Sequence, residues 1–109
     1  MLERDTVIIK IILEHTEKII SKIKNINKTD FINNTDLQEI ICFNILQIGE
    51  LCNSITEDFK NAHDNIPWKM IYGMRNIIVH GYGTIDLDIV YNTSKIDIPE
   101  LDKKLRKLI

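Results

Sequence analysis

Arg75, Asn76, His80 and Tyr82 stand within eight residues of one another in the stretch Pro67 to Tyr82, PWKMIYGMRNIIVHGY, where cationic, amide, imidazole and phenol groups gather among apolar residues. His80 is the side chain there that can give or take a proton near neutral pH. Arg75 can grip a phosphate with two parallel N–H donors and stabilise the charge that builds on it. Asn76 can hydrogen-bond the same phosphate or orient His80. Together these groups suit metal-independent RNA cleavage, in which the ribose 2′-OH attacks the neighbouring phosphorus. A single histidine handling the protons implies a slow enzyme, or a second histidine across a dimer. The four residues also have a purely structural reading, since arginines and histidines at helix ends cap carbonyls or pair with acids.

Placing these groups side by side requires a helix. Pro67 suits a first turn, where its missing N–H costs nothing, and Gly81 suits the position just past the end, so the spacing predicts a helix from about Pro67 to His80. On it Gly73, Asn76 and His80 share one face at i, i+3, i+7, while Ile71, Met74 and Ile78 form the buried face. A glycine within a helix costs roughly 1 kcal/mol against alanine. Gly73 on the polar face therefore points to something approaching the backbone, either a partner helix or a ligand. Tyr82 follows in Gly81-Tyr82-Gly83, which does not continue a helix, and its phenol is expected on an accessible turn.

Elsewhere the chain reads as helix throughout. Val7, Ile8, Ile11, Ile12, Ile19 and Ile23 predict a long amphipathic helix from about Leu2 to Ile26. His15 falls in its charged stretch as a solvated or edge histidine. Asn25 to Asn34 is a polar turn anchored by Phe31 and Ile32. Thr35 with Gln38 three residues on reads as a capping box that opens a second helix running to about Phe59. There Glu50, flanked by Ile48, Leu51 and Cys52, is expected to be partly buried and to need a cation, with Arg75 the candidate. Lys60 to Ile66 is a polar connection that holds His63. Asp86 and Asp88 open a fourth helix, Leu87 to about Ile96, with Leu87, Val90, Tyr91 and Ile96 inward. Pro99 marks a break with Asp97 as cap, followed by a short helix to Leu108 packing Leu101, Leu105 and Leu108. Its Lys103, Lys104, Arg106 and Lys107 are first a solvated face and only second a nucleic-acid patch. The expected fold is all-α, an antiparallel four-helix bundle plus a short C-terminal helix, in one domain spanning residues 1–109.

Bulk properties narrow the function classes. The 109 residues carry 44% hydrophobic and 28% charged positions with a net charge of −2, ordinary for a soluble globular protein. No global positive field recruits nucleic acid, so such a role needs a local cation cluster or dimerisation. Cys42 and Cys52 match no metal or redox motif and read as buried thiols in a reducing compartment. With Glu3, Arg4 and Asp5 interrupting the start and no apolar run near the roughly 20 residues of a membrane span, the expected location is cytoplasmic.

The motif Arg75-Asn76-Ile77-Ile78-Val79-His80, an arginine, a polar residue, a short spacer and a histidine, resembles the signature of the HEPN superfamily (higher eukaryote and prokaryote nucleotide-binding domains). The following Gly81-Tyr82 makes it similar to the HepT branch. Ile48-Gly49-Glu50, Ile66-Pro67-Trp68, Gly73-Met74-Arg75-Asn76 and Asp97-Ile98-Pro99-Glu100-Leu101 agree with that family's blocks in order, so the resemblance covers about Ile40 to Leu108. It implies an RNase toxin of a type VII-like toxin–antitoxin system, working as a homodimer with the two motifs facing a shared cleft. It further implies a minimal nucleotidyltransferase antitoxin that uses ATP to place AMP on Tyr82. Arg75 and His80 carry over as catalytic, Asn76 as the intervening polar residue and Glu50 as an orienting candidate. No cofactor or metal is expected. The competing reading is a non-catalytic nucleotide-binding partner subunit of a nucleotidyltransferase.

Overall fold

The computed structural model describes residues 3–79 and 85–109, and for Ile77 and Val79 the backbone alone. α1 runs Glu3–Ile23, and its buried face is Ile8, Ile9, Ile12, Leu13, Thr16, Ile19 and Ile23. Those residues recur at three, four and one, the stripe that a 3.6-residue repeat lays along one side of a helix. Val7 falls off that stripe and is 50% exposed, contrary to expectation. After α1, Asn25 adopts a positive φ of 63°, as asparagine tolerates at a helix exit.

The polar turn that follows contains a one-turn helix, α2 (Lys28–Ile32), capped by the Asn27 side chain. Phe31 is its buried anchor; Ile32 is exposed. α3 spans Thr35–Asn53, and its cap is Asn34 rather than Thr35: the Asn34 Oδ1 accepts from Leu37 N at 3.0 Å. Gln38 turns back to donate to the carbonyls of Phe31 and Ile32, both at 2.9 Å, instead of completing a capping box. α3 stops well short of Phe59. Thr56 caps a separate short helix, α4 (Glu57–Ala62), and its own backbone N–H and hydroxyl donate to the buried Asp5 of α1 at 3.0 and 2.8 Å.

α5 (Trp68–Val79) buries Ile71, Met74 and Ile78, as its periodicity requires. The last segment is one rod. α6 (Leu87–Asn92), capped by Asp86 onto the N–H groups of Asp88 and Ile89, passes through a π turn (Thr93–Asp97) into α7 (Ile98–Arg106). The expected break at Pro99 does not occur. The N–H of Ile98 reaches back five residues to Thr93 O, and this wider turn precedes the ring that would collide with a carbonyl in a tight α-register. Asp97 makes no capping bond, and Ile96 points outward at 62% exposure while Ser94 and Ile98 take the core positions.

The long helices α1, α3, α5 and the α6–α7 rod surround one hydrophobic core. The fold is therefore all-α, with no strand among the described residues. Polar clamps fix how the rods meet. Thr16 of α1 donates to Asp102 Oδ2 of α7 at 2.7 Å, and Arg106 bridges Asp102 (2.7 Å) and Glu17. His15 Nδ1 lies 2.8 Å from Asn44 Oδ1 of α3, whose Nδ2 donates to Ile40 O at 2.7 Å. That bond leaves Oδ1 as the acceptor and puts the His15 proton on Nδ1. Both cysteines are free thiols; Cys52 is buried, and loss of hydration pushes it up to about 11. Among the described residues, no helix is long and apolar enough to cross a membrane.

The closest approach bearing on the site is between α3 and α5. A Cβ built on Gly49 would lie 2.4 Å from the Arg75 Cβ, a distance real side chains do not tolerate. Gly49→Ala should therefore push α5 outward and cost about 1–3 kcal/mol in chemical denaturation. The Gly73→Ala control meets no neighbouring atom within 4 Å among the described residues and should show no such loss.

Candidate functional site

Because Gly49 leaves no side chain in the way, Arg75 lies directly across α3, and its guanidinium reaches the next residue, Glu50. The Arg75 Nε donates to Glu50 Oε1, and Nη1 donates to Asn76 Oδ1 at 3.2 Å. The hydrogen bond to Glu50 is the main cause that holds the Arg75 pKa above its already high ordinary value. Two of the guanidinium's donor directions are thus tied down, and Nη2 makes no hydrogen bond among the described residues. The guanidinium also lies 5.5 Å from the centre of the Tyr72 ring.

The pairing of Glu50 with Arg75 is the expected one, but Glu50 is not partly buried. Its side chain is 49% exposed and that of Arg75 25%, so the pair sits at the surface. An exposed ion pair contributes little to stability. Its effect here is geometric: a long cationic side chain is held in one orientation with its far end toward solvent. Asn76, half-buried, uses its oxygen on Arg75, and its amide N–H groups donate to no acceptor among the described residues. The site is consequently a set of directed donors that an anionic oxygen could accept from.

Among the described residues Gly73 does not mark a close approach; Gly49 does. His80 and Tyr82, the proton-transfer and modification candidates, lie outside the described residues. Among the described residues, no group of three or more His, Cys, Asp or Glu is arranged to hold a metal ion. Of the C-terminal cations, Arg106 is bound to Asp102 and Glu17 and Lys104 lies 3.8 Å from Glu100, while Lys103 and Lys107 are exposed.

Sequence reasoning passed over Tyr72 and Trp68. They precede Arg75 on the same flank of α5 at i, i+4, i+7, and this spacing was the available signal. Tyr72 is 41% exposed, while the indole N–H of Trp68 is fixed by the carbonyls of Lys60 (3.2 Å) and His63 (3.0 Å).

Comparison with known proteins extends these observations. A family model described as HepT-like ribonuclease matches residues 12–108. A candidate RNase of Caldanaerobacter subterraneus subsp. tengcongensis is 31% identical over 90% of this chain and 88% of its own. A candidate RNase of Methanocaldococcus jannaschii is 35% identical over 90% of this chain and 81% of its own. A protein of Thermococcus cleftensis described as a probable ribonuclease HepT is 35% identical over 72% of each chain. No solved structure matches.

The orienting role of Glu50 is directly measurable. Glu50→Ala should leave the melting temperature essentially unchanged, since the pair is exposed, yet move the Arg75 Nε–H resonance in a nitrogen-correlated NMR spectrum and speed its exchange with water. Glu50→Gln, which keeps an acceptor but loses the charge, should fall between. An Arg75 signal indifferent to both variants would show that other groups hold the guanidinium.

Proposed function

The chain belongs to the HepT-like ribonuclease family, and from that membership we propose that it is a metal-independent endoribonuclease toxin acting in the cytoplasm as a homodimer. The observation that carries this reading is the guanidinium of Arg75, fixed by Glu50 and Asn76 with Nη2 left for an anionic oxygen. In the proposed reaction Arg75 and the Asn76 amide hold the non-bridging oxygens of an RNA phosphodiester. The 2′-oxygen bonds to phosphorus as the bond to the 5′-oxygen breaks. His80 takes the proton from the 2′-OH, and a proton returns to the departing 5′-oxygen, leaving a 2′,3′-cyclic phosphate and a 5′-hydroxyl.

One imidazole cannot be base and acid in the same instant. A second copy, bringing His80 of the partner subunit to a shared cleft, supplies the other proton position. Phe43, 56% exposed on α3, offers such a copy an apolar contact, and Gly73 on α5 adds no side chain that would hold it off.

Control follows from the same chemistry. A minimal nucleotidyltransferase binds ATP, the Tyr82 phenol oxygen bonds to the α-phosphorus, and pyrophosphate departs. Tyr82 is two residues from His80 in sequence. The added phosphate brings negative charge to the motif, where it competes for Arg75 and repels RNA.

Arg75→Ala and His80→Ala should each lower cleavage of single-stranded RNA by about 100-fold or more while leaving thermal stability intact, and EDTA should not inhibit the native chain. With the transferase and ATP, intact mass should rise by whole AMP units that Tyr82→Phe abolishes. Full cleavage by either alanine variant would retire the mechanism. Nucleotide binding without any cleavage by unmodified protein would favour the non-catalytic partner subunit.

A further inference from the structure

Beyond Tyr72, away from Arg75, the surface opens into a groove of about 650 Å³ between the end of α3, α4 and the first turns of α5. We propose that this groove is a nucleobase subsite, taking one unpaired base next to the phosphodiester held at Arg75; the inference rests on the ribonuclease reading above. Pro67, Trp68 and Tyr72 give it apolar and aromatic walls, and Asn53, Asn61 and Lys69 line it as well. This is the equipment with which proteins take single-stranded RNA: flat rings against the base and amides against its polar edge.

Its placement fits one strand crossing both sites. Trp68, Tyr72 and Arg75 follow one another along one flank of α5 a helical turn apart, about 5.4 Å, so base and phosphate subsites are contiguous. Tyr72 belongs to both, lining the groove and lying beneath the Arg75 guanidinium. The charge balance separates base from backbone. Lys60 is 3.8 Å from Glu57, and with Asp64 and Lys69 the lining carries two acidic and two basic side chains and no excess of positive charge. A phosphate chain gains little there, whereas an uncharged ring gains the apolar walls. The carboxylates of Glu57 and Asp64 can accept from an exocyclic amine, so adenine, guanine and cytosine should enter better than uracil. The Trp68 indole, anchored through its N–H, is a rigid wall rather than a mobile lid.

Trp68 is the only tryptophan, so its fluorescence reports on this groove in the full-length chain. Titration with AMP, CMP and UMP should give a saturable change for AMP and CMP and a weaker one for UMP. Asn61→Ala, at an exposed position, should weaken the response about fivefold, as expected for one lost hydrogen bond, and Tyr72→Ala should weaken it at least as much. On single-stranded RNA of mixed sequence, Asn61→Ala should flatten the base preference beside the cut. Cleavage by the native chain with Trp68 indifferent to nucleotides and the cut pattern unmoved by Asn61→Ala would overturn the subsite and leave the ribonuclease intact. Nucleotide response without cleavage would do the reverse. Shielding of Trp68 that grows with protein concentration and excludes nucleotides would assign the groove to a second copy and overturn the proposal.

Discussion

Where α3 meets α5, the missing side chain at Gly49 and the carboxylate at Glu50 act together although they are consecutive residues. A step of one residue turns the helix by about 100°, so one position faces the neighbouring rod and the next faces the rim. Gly49 lets the stem of Arg75 lie against α3, with a hypothetical Cβ only 2.4 Å from its Cβ; Glu50 then meets the head of the same side chain. Neither residue alone would produce a fixed, outward guanidinium. A bulkier residue at 49 would move α5 away, and without a carboxylate at 50 the head would sample many rotamers in water.

That contact holds its geometry only if the two helices keep their register, and an isoleucine-rich core does not by itself choose one. Apolar packing is tolerant of sliding, whereas a buried hydrogen bond is satisfied at one register and costs free energy at others. The buried polar groups of α1, α3 and α7, Asp5, Thr16, Asn44 and Asp102, are all partnered, and among the described residues no buried side-chain nitrogen or oxygen lacks a partner. Asp5 ties α1 to the start of α4, His15 ties it to α3, and Thr16 ties it to α7. α1 carries no candidate catalytic group, yet it references the other helices to one another and so sets where α3 presents Gly49 and Glu50.

The elements with strong local signals were legible in the sequence. The amphipathic stripe of α1, the buried triplet Ile71, Met74 and Ile78, and the Asp86 cap follow from periodicity and capping chemistry. The Arg75–Glu50 pair was anticipated from burial of Glu50, but Glu50 is exposed, and the pairing follows instead from the close approach of α5 to α3 at Gly49. The misreadings share a cause: they depend on which of several locally equivalent options the tertiary structure selects. Asn34 and Thr35 can both cap, and the backbone chose Asn34. Gly49 and Gly73 both lie within helices, and only the position of α5 makes the former the close approach. Pro99 would end an isolated helix, but packing against α1 continues it through a π turn. The groove beside Trp68 is assembled from three elements, and no single stretch of sequence announces it.

The charge of the molecule bears on how such a site could recognise RNA. Affinity gained from phosphates comes from cations that displace counterions, and it scales with how many cations contact the strand. Here the net charge is −2, the one arginine at the site is already paired with Glu50, and the arginine of the C-terminal run is paired with Asp102 and Glu17. Little electrostatic attraction is left to hold a strand by its backbone. A ribonuclease built this way would have to hold its substrate through base contacts, or through the summed fields and shared cleft of two copies. In the first case the aromatic flank of α5 becomes part of substrate binding, because a guanidinium balanced by its own carboxylate can orient a phosphate but cannot by itself retain an RNA.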